Sequence, residues 1–235
     1  MSDRPQPSDL QRQAALNNAA WCLAMWRAHG LNAQRQHGMV MCEGAPPRFY
    51  PNAVTIDPDA DVAAQIEWLG KLAAAAPAGG VAVKDSFAAL DLAGAGYRPL
   101  FEAQWIARDP GAAASPGLDW RLVELADDLL AWEVAWAGGE ATEPRVFPPA
   151  LLGDTGTGVM AGFDGEALVA GCVLSPTGPV VGLTNVFGDF AEAAAVAASM
   201  FPDRTLVGYE RGDDLAAALA AGFRAVGPLT VWTAG

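Results

Sequence analysis

The chain has 235 residues and 52% hydrophobic content, enough for one large domain or two small ones with an ample core. A net charge of -13 without a lysine or arginine cluster argues against nucleic acid and an anionic membrane surface as partners. The polar, proline-bearing start MSDRPQPSDLQRQ is no signal peptide, and no apolar run approaches the roughly 20 residues of a membrane span. A soluble cytoplasmic protein is the expectation.

Residues 1–8 read as a flexible tail. Ser8 or Asp9 caps a helix running to about Ala28, with His29-Gly30 as its stop and Trp21, Met25 and Trp26 on one core-facing side. Gly38–Glu43 reads as a strand, and a second runs from about Asn52 to Ile56. Asp57-Pro58-Asp59 leads into a helix over Asp61–Ala75. Gly79-Gly80 breaks the chain before the buried strand VAVKD. A short helix is predicted over Phe87–Ala95, closed by Gly96, with LFEAQWIAR as the strand after it. Asp109–Gly117 is the best linker. Beyond it come a helix over Leu122–Ala137, an irregular stretch, and a hairpin around Asp164-Gly165. The strand VVGLTNVF, a helix over Phe190–Met200, the strand RTLVGYE, a short helix over Asp213–Ala221 and the strand PLTVW complete the order.

The chain repeats itself. AGYRPLFEAQW (Ala95–Trp105) is echoed by AGFRAVGPLTVW (Ala221–Trp232), and VAVKDSF by LVGYERG. Cys42 answers Cys172, and Trp21/Trp26 answer Trp132/Trp136. Two copies suggest duplication of one α/β unit with a cleft between or within the copies. Cys22, Cys42 and Cys172 are odd in number and lie in apolar elements, which fits reduced thiols. With His29 and His37 they match no zinc template, so no metal is expected.

The element order, with a short helix closing on Gly222-Phe223 before a last strand, resembles the GNAT acyltransferase superfamily. The resemblance covers Leu122–Trp232 well and Trp21–Ile106 more weakly, since the first copy shows no convincing long hairpin. It implies an α/β fold of two GNAT-like mixed-sheet units in tandem. Each unit would run helix, hairpin, strand, helix, strand, helix, strand. The N-terminal unit would span 9–108 and the C-terminal one 118–235, joined by 109–117. It also implies acetyl-CoA or another acyl-CoA as co-substrate, lying where VVGLTNVF and RTLVGYE splay apart. The phosphate loop would be Asn185, Val186, Phe187, Gly188, Asp189 and Phe190, with Arg211 beside it. The family loop opens on Gln or Arg and has glycines three and five residues later. Here those positions are Asn185, Gly188 and Phe190, and Asp189 adds a negative charge. The first copy has Asp57-Pro58-Asp59-Ala60-Asp61 at this place. The family's acidic tyrosine falls on Ala218 and Leu92.

Tyr209 and Glu210 sit at the C-terminal end of a parallel strand, where ligand crevices form. Glu210 is the candidate base and Tyr209 the candidate acid, against the plainer reading of a solvated strand end. Lys84 stands at the matching place in the first copy. Arg48, Tyr50 and Asn52 form a polar and aromatic entry to a strand, fit either to grip an acceptor or to shape a turn. Thr184-Asn185 is a polar pair in an apolar strand and needs a partner. Trp132 and Glu133 border the acceptor side of the resembled fold, with an exposed Glu133 beside core tryptophans as the plainer reading. The favoured function is acyl transfer from acyl-CoA to the amine of a small molecule. The alternatives are a non-catalytic ligand- or protein-binding module and a GNAT scaffold doing other chemistry. A homodimer is a further possibility.

Overall fold

The computed structural model describes residues 6–75, 80–111 and 115–235. Most of the 1–8 tail, Gly79 of the predicted break and the middle of the 109–117 linker lie outside the described residues. The elements are α1 (Asp9–Ala28), β1 (Asn32–Gln36), β2 (Met39–Glu43), β3 (Ala53–Thr55), α2 (Val62–Ala74), β4 (Val81–Asp85) and β5 (Arg98–Arg108) in the first half. The second half has β6 (Asp119–Leu122), α3 (Ala126–Trp136), β7 (Gly158–Asp164), β8 (Ala167–Thr177) and β9 (Val180–Phe187). It continues with α4 (Phe190–Met200), β10 (Thr205–Glu210), α5 (Gly212–Ala220) and β11 (Arg224–Ala234).

Local chemistry sets most boundaries. Ser8 caps α1 by accepting from the Gln11 amide, and Asp61 caps α2 by accepting from Ala63 and Ala64. Trp21, Met25 and Trp26 of α1 are buried together. The β7–β8 hairpin turns at Gly165, directly after Asp164, as predicted.

Three expectations are corrected. The first half does contain a hairpin: β1 pairs with β2 around His37-Gly38, both at positive φ, as a two-residue turn with strand-matching twist needs. The predicted Phe87–Ala95 helix is a loop ending in a 3-10 turn at Ala93–Ala95. Buried Asp85 causes this, its carboxylate accepting from the Phe87 and Leu90 amides at 3.3 and 2.7 Å. The predicted Leu122–Ala137 helix starts later, because Asp119–Leu122 pairs with β7 as an edge strand.

Among the described residues the strands form one eleven-stranded sheet in the order β1-β2-β3-β4-β11-β5-β10-β9-β8-β7-β6. The closing strands are exchanged: β11 of the second half lies against β4, and β5 of the first half lies against β10. β5 and β11 pair antiparallel at the centre. Among the described residues only β3–β4 and β9–β10 are parallel. Alternation along the strands separates the faces. Trp105, Ala107 and Val207 pack with Ala14 and Ala15 of α1, whereas Ile106 and Leu206 pack with Ala193 and Ala197 of α4 and Ala218 of α5. Among the described residues no helix is long and apolar enough to cross a membrane.

Candidate active site

β9 and β10 pair only from Thr205/Val180 to Val207/Gly182. Beyond that pair they diverge, β9 staying with β8 as far as Phe187 and β10 with β5 as far as Glu210. The fork is tight, since a Cβ on Gly208 would lie 2.8 Å from the Leu183 carbonyl oxygen. β9 also carries a bulge. Gly171 faces Phe187 and Val173 faces Thr184, so β9 holds one extra residue, and Asn185 sits there at φ 51.

On the α4/α5 face the fork opens into a cleft of about 290 Å³. Val186, Gly188, Asp189 and Phe190 form one wall, and Glu210, Asp214 and Ala217 the other. Burial pushes the Glu210 carboxyl up to about 7, and the like charge of Asp214 adds to this. No lysine or arginine lines the cleft among the described residues. Asp189 caps α4, its carboxylate accepting from the Ala191 amide at 2.8 Å. Glu192 faces elsewhere and accepts from the Gly117 and Leu118 amides and the Trp120 indole, which holds its carboxyl low, the Gly117 bond most of all.

Gly188 owes its identity to packing. It has φ +76, and a Cβ there would stand 2.4 Å from the Val169 carbonyl oxygen and 2.8 Å from Ala170. Gly188→Ala is expected to lower stability by about 2–3 kcal/mol, read as a lower urea midpoint at unchanged m. A loss below about 0.5 kcal/mol would show that the β9–α4 turn yields freely.

On the α1 face the fork is covered. Asn17, Asn18, Trp21, Ser175, Thr184 and Tyr209 help line a small cavity of about 10 Å³, room for a single water. Thr184 and Tyr209, both singled out in the sequence, line it, and Lys84 contacts its lining. Lys84 is 4% exposed, donates to Asn18 Oδ1 at 2.7 Å and stands 4.2 Å from the centre of the Tyr209 ring. Trp105 meets the same ring edge-on at 5.5 Å. Asn185 Nδ2 reaches the Tyr50 hydroxyl at 3.5 Å, and burial raises the Tyr50 phenol well above its ordinary range. Tyr209 and Glu210, adjacent along β10, therefore border different spaces on opposite faces.

The remaining residues are placed apart. Asn52 accepts from the Ala82 amide at 2.9 Å and extends the β3–β4 ladder. Arg48 is exposed over Phe49, and Arg211 stands over Phe101 at 4.7 Å, so neither faces the cleft. Trp132 is fully buried, donates to the Met160 carbonyl and packs on Phe147 and Phe187. Glu133 is buried rather than exposed. It accepts from Thr142, Arg145 and the Val146 and Phe147 amides, and so organises the irregular segment after α3. The sequence reading missed Asn17-Asn18 and Asp214. The only signal for the asparagines was a polar pair in the apolar run of α1.

The first half has the same parallel pair, but it is sewn shut. Thr55 Oγ1 accepts from the Ser86 amide at 2.8 Å past the end of the β3–β4 ladder. Asp85, the counterpart of Glu210, is fully buried over its loop.

The mixed sheet, with its forked parallel pair and the helix beyond it, matches solved structures of GCN5-related N-acetyltransferases in fold. A GCN5-related N-acetyltransferase from Kribbella flavida superposes with TM-score 0.60 at 14% identity, covering 94% of this chain and 95% of that one. A putative GNAT acetyltransferase from Novosphingobium aromaticivorans gives 0.56 at 14% identity, over 94% and 98%. A conserved protein of unknown function from Staphylococcus epidermidis gives 0.58 at 10% identity, over 87% and 94%. The likeness is one of fold and spans both halves together. No protein-family model and no curated protein sequence matches the chain.

Proposed function

We propose that the chain is an acyltransferase that moves an acyl group from a thioester to the amine of a small molecule, with Glu210 as base. The observation that carries this reading is the place of Glu210: the end of β10, at the fork, in the wall of a cleft of about 290 Å³. A carboxylate raised to about 7 exchanges protons readily near neutral pH. Asp189 and Asp214 beside it favour a cationic acceptor over an anionic one.

The chemistry follows from these groups. The acceptor enters as an ammonium and gives one proton to Glu210. Its nitrogen then attacks the thioester carbonyl carbon, whose oxygen is polarised by a β9 amide past the bulge, near Val186 or Phe187. The C–N bond forms, the C–S bond breaks, and the remaining ammonium proton passes to the sulfur, which leaves as a thiol. An acyl-CoA suits the fork at its thioester end. Its diphosphate does not suit the start of α4, where the Asp189 carboxylate already accepts from the Ala191 amide.

Free-thiol release tests the reading. S-acetylpantetheine and acetyl-CoA are offered with a panel of primary amines, and amine-dependent thiol release is expected. Release no faster than spontaneous hydrolysis with both donors would overturn it. The self-capped α4 also supports a second reading, a cleft that binds an amine without transferring to it. Amine binding by calorimetry without thiol release would select that one.

A further inference from the structure

The start of α4 is built against an anion. A helix N-terminus offers unpaired N–H groups and the positive end of the helix dipole, which together ordinarily attract phosphate. Here the chain supplies its own anion: Asp189 accepts from the Ala191 amide at 2.8 Å. Glu210 and Asp214 face it across the cleft. Arg211, next to Glu210 along the chain, is held over Phe101 instead. Gly188, which could have let a phosphate approach the backbone, packs against Val169 and Ala170. The first half has the same device, where Asp61 accepts from the Ala63 and Ala64 amides at 2.9 and 3.3 Å.

Resting on the acyltransferase reading and narrowing its donor, we infer that the cleft takes a thioester on a neutral pantetheine-type arm. The nucleotide diphosphate of CoA contributes nothing to binding, and Asp189 sets that preference. The amides of such an arm find backbone partners along β9 and β10 beyond the Gly182/Val207 pair, where the ladder between them ends. A diphosphate following the arm meets Asp189, already bonded to the Ala191 amide, with Asp214 and Glu210 across the cleft.

Calorimetric titration of the whole chain with S-acetylpantetheine and with acetyl-CoA tests this, using wild type and Asp189→Asn. Asparagine caps a helix as well as aspartate does, so α4 persists and circular dichroism verifies it. Wild type is expected to bind S-acetylpantetheine at least as tightly as acetyl-CoA. Asp189→Asn is expected to tighten acetyl-CoA by about 3–10-fold and leave S-acetylpantetheine unchanged, while salt of about 0.5 M narrows the wild-type difference. Acetyl-CoA binding about tenfold tighter than S-acetylpantetheine in wild type, or equal changes for both donors in Asp189→Asn, overturns the donor inference and leaves the acyltransferase reading standing. Failure of both thioesters to bind at millimolar concentration overturns both.

Discussion

Glu133→Ala is expected to lower stability by about 3–5 kcal/mol, the largest single-residue effect foreseen away from the hydrophobic core. The Glu133 carboxylate is fully buried and gathers four donors from one short segment: the Thr142 hydroxyl, the Arg145 guanidinium at 3.1 Å, and the Val146 and Phe147 amides at 2.7 and 3.4 Å. Truncation leaves the Phe147 amide and a cation that is 28% exposed without their acceptor, and leaves the Val146 amide with only its longer bond to Thr142 at 3.2 Å, so the desolvation already incurred is not recovered. Phe147 would lose its anchor, and with it the edge-on contacts to Trp132 and Trp136 at 5.1 and 5.0 Å. Glu133→Gln keeps one acceptor oxygen and should lose only about 1–2 kcal/mol. Urea titration followed by tryptophan fluorescence reads both. If alanine and glutamine behave alike, the carboxylate is not what holds the segment.

Glu210→Gln is expected to reduce turnover by about 10²–10⁴-fold, the usual share of a general base. In wild type the rate should rise with pH as Glu210 ionises near 7, and the variant should lose that rise. Stability should move the other way. The folded carboxyl holds its proton up to about 7, whereas the unfolded chain releases it near 4.5. Between those values the native state binds more protons, so stability falls as pH rises through this window and stays lower above it. Glu210→Gln removes that dependence, so the variant should gain on wild type by up to about 3 kcal/mol at pH 8 relative to pH 4. A variant slower but with unchanged pH dependence of stability would mean that Glu210 is not the buried titrating group.

Much of this fold was legible because local rules are local. Ser8, Asp61 and Asp189 announce helix starts within a few residues, and Asp164-Gly165 announces a turn between two apolar runs. β1 was not legible, because NAQRQ is an edge strand with every residue exposed and so has no apolar alternation. The exchange of β5 and β11 was not legible either. Nothing in RPLFEAQWIAR states whether its neighbour is β4 or β10, since both offer equally apolar edges. The candidate site divides in the same way. Glu210 was found from strand-end position alone. That Tyr209 faces away from it follows from pleating and could have been read from adjacency. The burial of Glu133 depends on donors from a segment without periodicity, where sequence patterns carry no signal.

The position of β11 has a consequence for synthesis. A chain made from its N-terminus presents β4 and β5 to the cell long before the strand that separates them exists. Until β11 emerges from the ribosome, the two inner edges of the unfinished sheet have no native neighbour between them. Such pairings are distant in sequence and slow to form, and exposed edges recruit other chains. β11 therefore acts as a keystone of the sheet, and the interval before its arrival is when the unfinished edges are most open to other chains.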